Sequence, residues 1–280
     1  MARLLKGKDV ALNIDEKSKE EVDKLSDLGI VPTLAIFKLG NKDSDSSYER
    51  GIDNKALKLG VKVIKYVFDE DIDKNIFYEA IKKANNDKNI HGILVFRPLP
   101  KDFDEEYVNN LIDINKDIDA SNDLSLANTF INKKEAFVPC TAKAVMSLLD
   151  FYNIEISGKR VVVLGRSLVI GKPVAMLMLN KNATVTICHS KSENIKEISK
   201  EADILICAIG KKEMIDKTFV RSGQTIIDVG IHYDEEKGKL CGDCLFDDIE
   251  NIVDNITPVP GGVGAITSSI LLNNVIKASH

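Results

Sequence analysis

Long apolar runs are missing from this sequence. The longest, such as Val161 to Leu164 and Ile204 to Ile209, fall far short of the roughly 18 residues a membrane span needs. The N-terminus also lacks the apolar core of a signal peptide, so the reading is a cytoplasmic protein with no membrane partner. Basic runs are missing too: 38 Lys and Arg stand against 43 Asp and Glu, for a net charge of -5. With no continuous basic stripe to offer phosphates, nucleic acid is not an expected partner. The four histidines, His91, His189, His232 and His280, are dispersed, and no Gly-x-Ser-x-Gly elbow accompanies them, so a hydrolase triad has no support.

Cysteine is sparse and odd in number, five in all, which argues for reduced thiols over a disulfide framework. Only Cys241 and Cys244 are close, in a Cys-Gly-Asp-Cys run. A redox or metal site there needs a second pair or a histidine at ligand spacing, and the nearest histidine is His232, across a turn. The run Asp113-Ile-Asn115-Lys-Asp117-Ile-Asp119 resembles the start of a calcium loop. It fails at position six, where Ile118 replaces glycine, and at position twelve, where Leu124 replaces glutamate.

What is present is globular. At 280 residues the chain is long enough for about two domains. Apolar runs alternate with amphipathic stretches, the βαβα pattern of parallel sheets covered by helices, so the fold class is α/β. Strands are expected at Thr33 to Leu39, Val61 to Val67, Gly92 to Val95, Arg160 to Leu164, Thr184 to Cys188, Asp203 to Ala208 and Thr225 to Val229. Helices are expected at Asp15 to Leu28, Ser46 to Leu59, Ile72 to Asn85, Asp104 to Ile112, Thr141 to Tyr152, Lys172 to Leu179 and Ile266 to Ile276. The polar segment Asn115 to Asp123 is the best domain boundary.

The sharpest local signal runs from Arg160 through Gly165-Arg166-Ser167 to Gly171-Lys172-Pro173. A buried strand enters a glycine turn and then a helix, which aims backbone N–H groups and a positive helix end at whatever lies above, a natural diphosphate site. The spacing is not Gly-x-Gly-x-x-Gly, so an ordinary βα turn remains the competing reading. The next strand ends Cys188-His189-Ser190-Lys191-Ser192, with no carboxylate until Glu193. Cations and hydroxyls in that place suit a 2′-phosphate, hence NADP over NAD. Near the C-terminus, Thr257-Pro-Val-Pro-Gly261-Gly262-Val-Gly264 makes a stiff turn where a ligand can approach the backbone closely.

Together these motifs resemble the methylenetetrahydrofolate dehydrogenase/cyclohydrolase family (FolD). Further matches are Pro98-Leu-Pro100, Lys116-Asp-Ile-Asp119, Asp228-Val-Gly-Ile231, Gly242-Asp243 and Pro258-Val-Pro-Gly-Gly-Val-Gly264, so the resemblance covers essentially the whole chain. It implies a folate-binding catalytic domain over residues 1-120, completed by a C-terminal helix over 265-280. It also implies a Rossmann-like NADP domain over 121-264, a cleft between the two, tetrahydrofolate derivatives as substrates, and a homodimer. Carried over by residue, Gly165, Arg166, Ser167, Ser190, Lys191 and Ile231 would contact NADP. Tyr48, Asp119, Pro258, Gly261 and Gly262 would line the folate pocket, with Tyr48 stacking on the substrate and Asp119 holding the pterin as the catalytic pair.

The sequence departs from that pattern at the acid-base group. Bifunctional members carry a lysine one helical turn after the tyrosine; here the position is Ile52. Its usual partner, the Gln of a Val-Gln-Leu-Pro-Leu-Pro run, is Phe96 in Val95-Phe-Arg97-Pro-Leu-Pro100. Lesser changes are Ala120, Ala142 and Ala265-Ile266. Lys55 shares the helix face but lies about 10 Å from Tyr48 along the axis, one turn too far for a direct replacement. The expectation is an NADP-dependent dehydrogenase with weak or absent cyclohydrolase activity. A fully bifunctional enzyme, a catalytically silent folate or NADP binder, and a NAD-preferring enzyme are the alternatives.

Overall fold

The computed structural model describes residues 1–40 and 43–280, the side chains of residues 43–47 excepted. The elements in chain order are β1 (Arg3–Leu4), α1 (Gly7–Asp27), β2 (Thr33–Leu39), α2 (Asp43–Leu59), β3 (Lys62–Phe68), α3 (Lys74–Asn86), β4 (Gly92–Val95), α4 (Glu105–Leu111), α5 (Asp123–Phe130) and α6 (Cys140–Phe151). They continue with β5 (Arg160–Leu164), α7 (Gly171–Asn180), β6 (Thr184–Cys188), α8 (Ile195–Glu201), β7 (Ile204–Cys207), β8 (Thr225–Asp228), β9 (His232–Asp234), β10 (Lys239–Cys241), α9 (Phe246–Ile249), β11 (Asn255–Ile256) and α10 (Thr267–Lys277). The chain divides into two compact units, and the α/β class expected from the alternation is what both show.

The first unit comprises residues 13–128, 134–140 and 268–280. Its sheet is parallel, in the order β3-β2-β4. The centre strand β2, Thr-Leu-Ala-Ile-Phe-Lys-Leu, is buried at every position, which requires a nearly continuous apolar run. The edge strand β3 varies from exposed to half-buried along its length, as an edge allows. Beneath the sheet Phe77 gathers Phe37, Phe68, Tyr78 and Phe103 edge-to-face at 5.5–6.4 Å. The C-terminal helix α10 belongs to this unit: the Asn274 amide donates to the Ile118 carbonyl at 2.8 Å, and Val275 with Ile118 fills the space that a side chain at Gly92 would need.

The second unit comprises residues 1–12, 129–133 and 141–267. Six of its strands form a parallel sheet, in the order β1-β11-β8-β7-β5-β6, and β9 pairs antiparallel with β10. Strands β7 and β8 are fully buried, and β5 is buried at all but its first residue. The cysteines of this unit behave as small apolar core residues: Cys188, Cys207 and Cys244 pack with Val162, Leu164, Leu205 and Ile226. The first strand of the chain sits at the edge of this sheet, beside β11.

Where α1 begins, its backbone is bound to the glycine turn: the Gly7 N–H donates to the Gly261 carbonyl at 2.8 Å. A Cβ on Gly7 would stand 2.0 Å from the Gly262 carbonyl oxygen. Gly7→Ala is therefore expected to destabilise by about 1–3 kcal/mol through overpacking. Denaturant midpoints read this, and an unchanged midpoint would contradict the contact.

Candidate active site

Strand β5 enters a turn at Gly165, whose φ of +125° and whose closeness to Ala208 exclude a side chain; a Cβ there would lie 2.1 Å from the Ala208 carbonyl oxygen. Ser167 Oγ accepts from the Ile170 and Gly171 N–H groups at 3.2 and 3.4 Å and so shapes the entrance to α7. Gly165, Arg166, Ser167, His189, Ser190 and Lys211 line one cavity together with apolar Leu164, Ile195, Ala208, Ile209 and Met214. Lys191 is next in sequence and its N–H donates to His189 Nδ1, but it is not one of the lining residues. Backbone approach at glycine, a helix N-terminus and flanking cations form a cradle that fits a dinucleotide diphosphate.

A second cavity of the same unit is lined by Val229, Gly230, Ile231, Pro258, Gly261 and Gly262, among others. Ile231 packs on Gly264, where a Cβ would meet its side chain at 2.8 Å. Asp228 lines this cavity too, and Asp243 does not; both are buried carboxylates that the motifs had marked only as matches. Asp228 accepts from the N–H groups of Gly230, Asp243 and Cys244 at 3.0, 3.0 and 2.8 Å. Asp243, fully buried, accepts from the N–H groups of Ile209, Gly210 and Lys211 at 2.6, 3.1 and 3.0 Å and lies 2.8 Å from His232 Nε2.

In the other unit, Tyr48 and Phe96 lie ring against ring, 5.8 Å between centroids and tilted by 42°. Ile52 is fully buried one turn along α2. The half-buried Asp119 accepts from the Cys140 N–H at 3.3 Å; burial raises its carboxyl and the Cys140 thiol above their ordinary ranges. Burial and the neighbouring Asp119 likewise push the Tyr48 hydroxyl up, so it stays a neutral donor. Three lysines near α2 are engaged: Lys55 with Asp15 at 3.1 Å and with Ser269, Lys38 with Glu49 at 3.0 Å, and Lys65 with Glu49 and Asp53 at 2.6 Å. Arg97, which the motif reading passed over, donates to Asn109 and keeps its Nη1 buried without a hydrogen-bond partner. Ala120 holds a left-handed φ of +52°.

Family models match both parts of the chain: the tetrahydrofolate dehydrogenase/cyclohydrolase catalytic domain over residues 5–119 and its NAD(P)-binding domain over residues 139–280. The chain belongs to the tetrahydrofolate dehydrogenase/cyclohydrolase family. A protein of Clostridioides difficile named bifunctional protein FolD is 45% identical over 276 residues, 99% of this chain and 96% of its own. The bifunctional FolD structure from Campylobacter jejuni superposes with a TM-score of 0.97 at 33% identity, covering 100% of this chain and 99% of that one. The Trypanosoma brucei enzyme, solved with NADP cofactor and inhibitor, gives 0.93 at 33% identity, over 99% and 97%.

Two features of the sequence take other roles in this family member. The aspartates of the calcium-like run serve the backbone: Asp117 accepts from the Ser121 and Asn122 N–H groups at 3.0 and 2.9 Å, at the start of α5. Cys241 joins Glu213 and Asp234 as the one group among the described residues with metal-ligand spacing, all ligand atoms within 4.8 Å. Lysines already occupy it. Lys212 at 2.8 Å holds the Asp234 carboxyl down to about 2, and Lys237 lies 2.8 Å from Glu213.

Asp228 generates a pH prediction. Burial lifts its carboxyl to about 6 despite its three N–H donors. Because the folded value lies above the unfolded one, near 3.9, its contribution to stability is present below about pH 4 and lost as pH rises through 6. Asp228→Asn is expected to remove up to about 3 kcal/mol of stability change between pH 4 and pH 7. Urea midpoints of the two proteins across that range measure it; parallel curves would assign the titration elsewhere.

Proposed function

We propose that this family member is an NADP-dependent 5,10-methylenetetrahydrofolate dehydrogenase with weak or absent cyclohydrolase activity. The observation that carries the reading is the apolar pair at the acid-base position, Ile52 fully buried and Phe96 packed on Tyr48. Residues 1-120 with the helix 265-280 would take the folate and residues 121-264 the coenzyme, in a homodimer of the cytoplasm.

NADP, when bound, supplies the hydride acceptor. Gly165 and Gly171 let the turn between β5 and α7 close tightly on Ala208 and on itself, which sets the start of α7 beside the cavity for the diphosphate, while Arg166, Ser190 and Lys191 offer cations and a hydroxyl to the 2′-phosphate. Ile231, Pro258, Gly261 and Gly262 form an apolar, close-approach wall. Tyr48 offers a ring face for stacking on the substrate. Asp119, driven toward its neutral form by burial, can both donate to and accept from the edge of a pterin.

Oxidation of the bridging methylene leaves a cation shared by two folate nitrogens, and no proton moves. That step needs proximity and orientation, which binding residues alone can supply. Hydrolysis of the methenyl product must activate water and protonate a leaving nitrogen, work for which an acid-base group contributes about 10²–10⁴-fold. Ile52 and Phe96 offer neither proton nor lone pair, and the Lys55 amine is committed to Asp15 and Ser269.

The test is to mix the purified chain with methylenetetrahydrofolate and NADP and follow NADPH and the methenyl chromophore separately, with NAD in parallel. Both products should rise together, the methenyl signal then decaying at its uncatalysed rate. The name borne by the 45%-identical relative favours the bifunctional reading; NADPH accumulating without methenyl would establish it. Ile52→Lys with Phe96→Gln should raise cyclohydrolase turnover at least tenfold, by the size of a typical acid-base contribution. No rise would show that these positions do not limit hydrolysis.

A further inference from the structure

The Cys-Gly-Asp-Cys run has no redox or metal role in the site described, yet its aspartate gathers four donors. Three consecutive N–H groups, of Ile209, Gly210 and Lys211, converge on the Asp243 carboxylate. This is a backbone nest around an anion that the protein itself provides. The loop carrying them follows β7 and has no regular structure, and Ile209 and Lys211 line the cavity shared with Gly165, Arg166 and Ser190. The second donor group is His232, adjacent to Ile231 in the wall of the other cavity. Backbone bonds complete the tie: the Glu213 N–H donates to Gly242 O at 3.0 Å and the Ile215 N–H to Asp243 O at 2.9 Å.

We propose that Asp243, with His232, is a positioning residue for the coenzyme, fixing from behind the two loops that carry Ile209–Lys211 and Ile231 against it. The inference rests on the dinucleotide reading given above. Glycine is required on either side of the device: a Cβ on Gly230 would lie 2.4 Å from the Asp243 carboxylate, and one on Gly242 would lie 1.9 Å from that of Asp228. Asp243 touches neither cavity directly and acts only through the loops it holds.

The test measures NADP binding to the full chain by calorimetry and amide hydrogen exchange at residues 209–211. In Asp243→Asn, an N–H₂ group faces backbone donors. Exchange at 209–211 should lose its protection and NADP binding should weaken at least about tenfold, the worth of a charge-assisted hydrogen bond. Exchange in β5 and the KM for methylenetetrahydrofolate should stay within twofold, which a general loss of structure would not allow. Should Asp243→Asn fail to fold, His232 decides: His232→Ala should weaken NADP binding about threefold, and His232→Gln, which keeps a donor toward Asp243, should restore it. Binding and exchange within twofold of wild type in His232→Ala, while the wild type transfers hydride, would overturn the inference alone. A wild type that binds NADP without hydride transfer would overturn the dehydrogenase reading and leave the positioning role standing.

Discussion

Two carboxylates removed from water constrain the NAD(P)-binding unit more than any other feature. A buried negative charge is tolerated only when donors replace its hydration. Asp228 and Asp243 find theirs almost entirely in backbone N–H groups, from loops that follow β7, β8 and β10. Each loop is thereby pinned to an atom, and the residues beside the carboxylates must be glycine because no Cβ fits. The motifs Asp-Val-Gly-Ile and Gly-Asp are then two halves of one device, one supplying the carboxylate where the other supplies the space.

In the catalytic unit, apolar packing takes the larger part: Phe96 packs on Tyr48, and Ile52 is fully buried. Ala120 holds the left-handed backbone that glycine adopts freely, at a cost of about 1–2 kcal/mol for a residue with a Cβ. Burial raises the Asp119 carboxyl above its ordinary range.

Strands were the most legible elements. The expected limits at Thr33 to Leu39, Gly92 to Val95, Arg160 to Leu164 and Thr184 to Cys188 coincide with β2, β4, β5 and β6, because a buried parallel strand needs a continuous apolar run bounded by turn residues. Helix α1 begins eight residues before Asp15, since its first turns are held by the glycine turn and not by their own periodicity. Short α5 and α8, and the two-residue strands β1 and β11, exist through tertiary pairing and leave no local signal. At the site, glycine spacing announced the cradle, while the ion pair and hydrogen bond of Lys55 left no local signal. Its partners Asp15 and Ser269 lie far away in sequence, as do the donors of Asp243, and only the folded chain brings them together.

The pairing of segments distant in sequence bears on how the molecule folds. Residues 3–4 pair with 255–256, and α10 belongs with a sheet whose strands end at residue 95. Each unit is thus closed by segments far apart along the chain, and the loop-closure entropy between them must be met before their contacts repay it. Such non-local pairing makes the folding of each unit slower and more all-or-none than local element-by-element growth would be.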